Sequence, residues 1–260
     1  VELLLEFGAD ANQATAEEED PKVGGNSTPL HIASYYGHEN IVKLLLEKGN
    51  ANINGINKDG ETALHIASRR SKKQIVNVLL QNGANVDQPN NTGKTPLWIS
   101  VLDGRTDMVE LLVKGGANVN AATKNDVTLL LVACSSGSIR SIEETLRLGA
   151  DVNQAGGKCA ATPLLVAVAR RTNGVVQMLL GHGADINQRD NYGLSPLILA
   201  VMRGKEALVD TLVNEGADIH CQNDCGISAL DISRRKGYDE ITRRLLRAKL
   251  SLPRPGLSST

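Results

Sequence analysis

Gly93-Lys94-Thr95 has the form in which a phosphate-binding loop ends, where backbone N–H groups and a lysine hold a nucleotide's phosphates. Such a loop needs another glycine five residues earlier. Gln88 stands there, so nucleotide binding is not expected. His220, Cys221 and Cys225 lie close together, and Cys221-x3-Cys225 is half of a structural zinc site. No second half accompanies it. The thiols are read as free, and no metal or other cofactor is expected. Four cysteines in 260 residues, Cys134, Cys159, Cys221 and Cys225, are too few for a disulfide scaffold and point to a reducing compartment. No Gly-x-Ser-x-Gly elbow, His-Glu-x-x-His helix or nucleophile–base pairing stands out, so this segment is not expected to be an enzyme.

Composition narrows the remaining classes. At 41% hydrophobic and 22% charged the chain can form a core, and with six aromatics that core must be built from Leu, Ile, Val and Ala. So few aromatics disfavour modules that stack nucleic-acid bases. A formal net charge of −1 gives no global attraction to nucleic acid or anionic membrane. No apolar run approaches the roughly 18 to 20 residues that span a bilayer, and the start is not a signal peptide, so membrane insertion is not expected. The chain lacks an initiator Met and opens inside what proves to be a structural unit. It is read as a segment of something longer, with further repeats expected upstream.

The elements that must position any functional residue follow from an internal repeat. Thr28-Pro29-Leu30-His31-Ile32-Ala33 recurs in altered form from Thr62, Thr95, Thr128, Thr162, Ser195 and Ser228, at spacings of 33 or 34 residues. The hydroxyl residue reads as an N-cap, and the proline that often follows suits the first helical position. Glycines nine residues after the cap (Gly37, Gly104, Gly137, Gly204, Gly237) permit a turn into a second, amphipathic helix, seen in Ile41, Val42, Leu44 and Leu45. A glycine twenty-one residues after each of the first six caps, Gly49 to Gly216, is expected to stop it in a left-handed C-cap. Asn- and Asp-rich turns such as Asn57-Lys58-Asp59-Gly60 then project before the next cap.

These motifs, over nearly the whole chain, resemble the ankyrin repeat. The resemblance implies an all-α solenoid of antiparallel helix pairs with projecting β-hairpin-like turns (fingers) beside a concave face lined by first helices. It also implies that His31 and His65 brace the turn. The expected organisation is a partial repeat with an acidic loop extension over residues 1–27 and an array over 28–250. The array comprises repeats 28–61, 62–94, 95–127, 128–161, 162–194 and 195–227, a C-terminal cap 228–250, and then a disordered tail 251–260. The extension includes Glu17-Glu18-Glu19-Asp20-Pro21. In the cap Asp231 replaces histidine, and Arg234, Arg243 and Arg244 are expected to form a polar outer face. Repeat 128–161 departs from the pattern. Asp126 replaces a turn glycine, and Ser141, Glu144 and Thr145 fall where apolar residues are usual. Ile139, Ile142 and Leu146 imply a shifted packing face, which predicts the weakest interface in the stack and a hinge.

Residues that the architecture does not demand are free to recognise a partner. In the resembled family these lie on the finger, at four, three and one residues before the cap, and on the first helix, seven and eight after it. Carried over, the partner-binding candidates are Tyr35, Tyr36, Lys58, Arg69, Arg70, Lys94, Leu102, Asp103, Lys124, Lys158, Arg170, Tyr192, Leu194, Met202 and Arg203. Tyr192, Leu194 and Met202 are expected to form a second apolar pocket. Over all such positions ten basic side chains face four acidic ones (Asp59, Glu61, Asp103, Asp224), so this side carries +6 and the remainder −7. The expected function is a monomeric, cytoplasmic or nuclear protein–protein interaction module, a scaffold or adaptor that binds an acidic extended peptide or domain in a basic groove. The alternatives are polyanion or RNA binding on the same face, or substrate recruitment for a larger enzyme. Asn12 and Asn187 resemble finger asparagines that are hydroxylated in such repeats and are candidates for that modification.

Overall fold

Each of the seven hydroxyl residues precedes a helix at the expected register. The computed structural model describes residues 1–15, 23–170 and 172–251, and all regular secondary structure among them is helical. The chain divides between Asn125 and Asp126 into two units. The first holds α1 (Glu2–Glu6), α2 (Pro29–Tyr36), α3 (Glu39–Glu47), α4 (Ala63–Arg69), α5 (Lys73–Gln81), α6 (Pro96–Leu102) and α7 (Thr106–Lys114). The second holds α8 (Leu129–Ser136), α9 (Ile139–Arg147), α10 (Pro163–Arg170), α11 (Asn173–Gly181), α12 (Pro196–Met202), α13 (Glu206–Asn214), α14 (Ala229–Arg235) and α15 (Asp239–Ser251).

Capping explains why the short first helices form. The Thr95 and Thr128 hydroxyls accept the N–H of the third helical residue at 3.3 Å, and the Thr162 hydroxyl does so at 3.2 Å. Where that third residue is histidine, its ring ties the cap to the finger that ends the same repeat. The Thr62 N–H donates to His65 Nδ1 at 3.1 Å, and His65 Nε2 then donates to the Lys94 carbonyl at 3.1 Å. His31 bridges Thr28 and the Glu61 carbonyl in the same way, at 3.1 and 2.9 Å. This arrangement requires the neutral tautomer with the proton on Nε2. Burial correspondingly pushes the pKa of His31 down and that of His65 to about 4. In the cap Asp231 performs the first half of the role, accepting from the Ser228 N–H and hydroxyl at 3.0 and 2.6 Å.

Packing repeats the same step. Within the first unit α2, α4 and α6 lie side by side, as do α3, α5 and α7. In the second, α8, α10, α12 and α14 form one row, while α11, α13 and α15 pack in sequence on the other side. Leu30, Leu64, Leu79 and Leu112 fill the first core, and Leu130, Ile142, Leu164 and Leu179 the second. Each such side chain contributes about 1.5–3 kcal/mol of burial, and a lone helix pair has no neighbour to bury it against.

The turns hold the register. The residue two before each cap is left-handed in all seven copies, at Asn26, Gly60, Gly93, Asp126, Ala160, Gly193 and Gly226. Nine residues after the cap, Ser71 takes the left-handed conformation (φ 54°) that Gly37 takes in the previous copy. Neighbouring fingers share single backbone bonds, such as Asn91 N–H to Asp59 O at 3.0 Å and Asn191 N–H to Cys159 O at 2.9 Å. Isolated antiparallel bridges join Gly156 to Ala161 and Gln222 to Ser228.

Some expectations need correction. Gly49 is not left-handed; the extra residue of repeat 28–61 lets Asn50 (φ 49°) make the reversal. A Cβ on Gly49 would stand 2.8 Å from the Leu45 carbonyl oxygen, so close approach explains the glycine. The packing face of α9 is not shifted. Ile142 and Thr145 are buried at the positions that Val42 and Leu45 take in α3, and Leu146 is buried beside them as expected, while Ile139 is 53% exposed. Thr145 is accommodated by donating its hydroxyl to the Ser141 carbonyl at 2.6 Å. In the C-terminal cap Arg234 and Arg243 are exposed, but Arg244 reaches to Asp210 (2.9 Å) and Asn214 on α13. The acidic run Glu17–Pro21 and residues 252–260 lie outside the described residues, and Ser251 ends α15.

Candidate functional site

The apparent chemical motifs are consumed by the repeat. Gly93 is left-handed (φ 82°), and a Cβ there would stand 2.6 Å from the Lys124 nitrogen. Thr95 caps α6, and the Lys94 ammonium lies 4.8 Å from the centre of the Trp98 ring. Burial pushes the Cys134 thiol up to about 12, which removes its thiolate chemistry. Cys159, Cys221 and Cys225 are free thiols, and no group of three His, Cys, Asp or Glu side chains among the described residues is placed to hold a metal ion.

In the first unit the expected contact residues gather at the C-terminal ends of α2, α4 and α6. Tyr35 is half-buried, with the Arg70 guanidinium 4.3 Å above its ring. Tyr36, 48% exposed, meets Tyr35 edge-on at 5.0 Å and stacks on His38 at 6.2 Å. Leu102 is 40% exposed, and Asp103 lies 3.9 Å from Arg105. Lys58 and Lys124 are exposed on their fingers, and Lys94 is half-buried. Glu61 does not behave as a free finger residue. It is 5% exposed and grips Arg69 through both carboxylate oxygens, one pairing with Arg69 Nη1 at 2.9 Å. Arg69 therefore serves α4 and its finger before it serves any partner.

In the second unit Lys158, Arg170 and Arg203 are exposed, as are Tyr192 and Met202, while Leu194 is half-buried against the core. A hollow of about 430 Å³ lies between α8 and α10, lined by Val127, Leu131, Val132, Ser135, Ala161, Val166 and Arg170. Arg170 stands at its edge, donating to the Ser135 hydroxyl at 3.0 Å. No expectation from the sequence singled it out. The signal was present as a deficit of side-chain volume, which a search for conspicuous residues passes over.

Asn12 and Asn187 are both exposed and both bound to the following turn. Their carboxamide oxygens accept from the Asn52 N–H at 2.7 Å and the Asp218 N–H at 2.8 Å. Asn54 holds Asn85, Asp87 holds Asn118 and Asn153 holds Asp185 in the same manner. The column is structural in each unit, whether or not an asparagine in it is modified.

Comparison with known proteins agrees with this architecture. The family model for ankyrin repeats in three copies matches residues 1–90, 82–156, 130–223 and 164–253. The crystal structure of the ankyrin repeat domain of Bcl-3, a member of the IkappaB protein family, superimposes with a TM-score of 0.75. It has 28% identity and covers 86% of this chain and all of that one. Among sequence relatives, the probable E3 ubiquitin-protein ligase XBOS33 of Oryza sativa subsp. japonica is 48% identical over 63 residues, 24% of this chain. Rabankyrin-5 of Mus musculus is 32% identical over 83 residues, 30% of this chain. The aligned stretches span only 12% and 7% of those relatives' lengths.

Proposed function

The chain belongs to the ankyrin-repeat family, and on that premise we propose that its first helices and fingers bind an acidic, extended segment of a partner protein. The observation that carries this reading is the Tyr35–Tyr36–Arg70 cluster, which stands at positions the repeat leaves free. Tyrosine and arginine are the residue types that most often dominate interface energetics, and a cation held over a ring is already ordered before binding. Charge supports the acidic partner. In the second unit Lys158, Arg170, Arg203, Arg235 and Lys236 oppose Asp224 at the free positions.

The module is read as a monomer, and the four free thiols support a reducing compartment for it. Recruitment for a larger enzyme fits the same surface, since the related XBOS33 is named as a probable ligase. The test is fluorescence anisotropy with labelled acidic peptides against the chain and a Tyr35→Ala, Tyr36→Ala, Arg70→Ala variant. Arg69 is left in place because removing it would strand Glu61. The expected result is affinity weakened about tenfold or more; unchanged affinity removes the cluster from the reading. A salt titration separates the polyanion alternative, whose binding falls steeply and linearly on log–log axes.

A further inference from the structure

The hollow between α8 and α10 arises because several positions of the repeat are truncated together. Four residues past the cap, the isoleucine or leucine of other copies is replaced by Val132 and Val166. Seven past it, where other copies carry Tyr35, Arg69, Leu102, Met202 and Arg235, Ser135 stands in the lining. Ala161 is also smaller than Glu61, Lys94, Leu194 and Ile227 at the equivalent place. Leu131 meanwhile substitutes an apolar side chain for the bracing histidine. The cavity is therefore apolar, opens beside the free positions, and has Arg170 at its edge with Lys158 exposed on the adjoining finger.

Its size admits a large side chain from an extended chain, and its surroundings select the flanking residues. Lys158 and Arg170, followed by Arg203 on α12, outweigh Asp126 on the finger before α8. We propose that this hollow receives one large apolar side chain, leucine or phenylalanine, of an acidic partner segment whose carboxylates pair with Arg170 and Lys158. The proposal rests on the reading that this face binds an extended segment, and it adds the anchor that sets register along it.

The experiment uses the full chain and fluorescein-labelled ten-residue peptides of Asp, Glu, Ser and Gly with a central Leu, Phe or Ala, together with Asn/Gln versions. Anisotropy gives affinity, and methyl NMR follows Leu131, Val132 and Val166. The Leu or Phe peptides are expected to bind about tenfold or more tighter than the Ala peptide, with shifts centred on those methyls. A Ser135→Leu, Val166→Ile variant fills the hollow with residue types used at the same positions in other copies. Its thermal melt should match the parent, and its preference for Leu over Ala should vanish. Arg170→Glu should weaken the acidic peptides and spare the neutral ones. Equal affinity of Leu and Ala peptides, or a preference that survives filling, overturns the anchor. Binding without preference that is lost in the Tyr35, Tyr36, Arg70 variant would keep the interaction face and remove only the anchor. A preference unaffected in that variant would keep the anchor and remove the tyrosine cluster; no binding by any peptide overturns both.

Discussion

His65 turns a fold-stabilising hydrogen bond into a sensitivity to acid. Burial holds its folded-state pKa at about 4, below the ordinary value of 6.5, so the unfolded chain binds the extra proton first. Stability from this group is complete above about pH 6.5 and is lost as the pH falls from there toward 4. The total loss is on the order of 3 kcal/mol. The urea midpoint should fall over that window, and His65→Leu, less stable at pH 7, should show a flatter profile. Equal pH dependence in the two proteins would contradict the assignment. Arg69 gives a second residue-scale expectation. Its half-exposed guanidinium screens part of the effect, so Arg69→Met should cost about 2 kcal/mol by leaving the Glu61 carboxylate unpaired, with most of it recovered on adding Glu61→Gln. Chemical denaturation of the single and double variants measures both. The histidine brace was legible from Thr62 and His65 standing three apart. The Glu61–Arg69 pairing was not, because a position just before a cap looks solvent-facing until the finger folds back over α4.

Among the elements, α9 shows how neighbours override local pattern. Seventeen residues past the cap every other copy has leucine: Leu45, Leu79, Leu112, Leu179, Leu212 and Leu245. Thr145 occupies that place and is fully buried all the same. Apolar residues counted along α9 alone pointed to another face, but in the pairing with α8 Ile142 and Thr145 are buried at the standard positions. The loss of leucine should show as faster exchange: amides of residues 128–161 are expected to lose protection at lower urea than those of 162–227. Thr145→Leu should close the gap, raising stability by about 1 kcal/mol through recovered apolar burial. Hydrogen exchange no faster in this repeat than in its neighbours would remove the weak-interface reading. The helix limits themselves were readable to within a residue or two, since caps and turns of fixed chemistry mark them.

For the molecule as a whole, the chain has one tryptophan, and it is buried in the first unit. Trp98 fluorescence therefore reports residues 1–125, while far-UV circular dichroism reports every helix. In a chain whose stability is a sum of neighbour terms, the two urea curves are expected not to superimpose. Coincident curves would mean that both units unfold as one. The family and the all-helical fold were visible in the amino-acid order, because a motif recurring seven times exposes every position that varies. The hollow of the second unit escaped because it is made of residues that are missing bulk. The carboxamide and carboxylate column that ties each turn to the next has a consequence for descent. At successive junctions within a unit a side-chain oxygen accepts one backbone N–H, so a gene that gains or drops a whole copy there leaves no polar group orphaned. Length is thereby free to drift under duplication while each surviving junction stays intact.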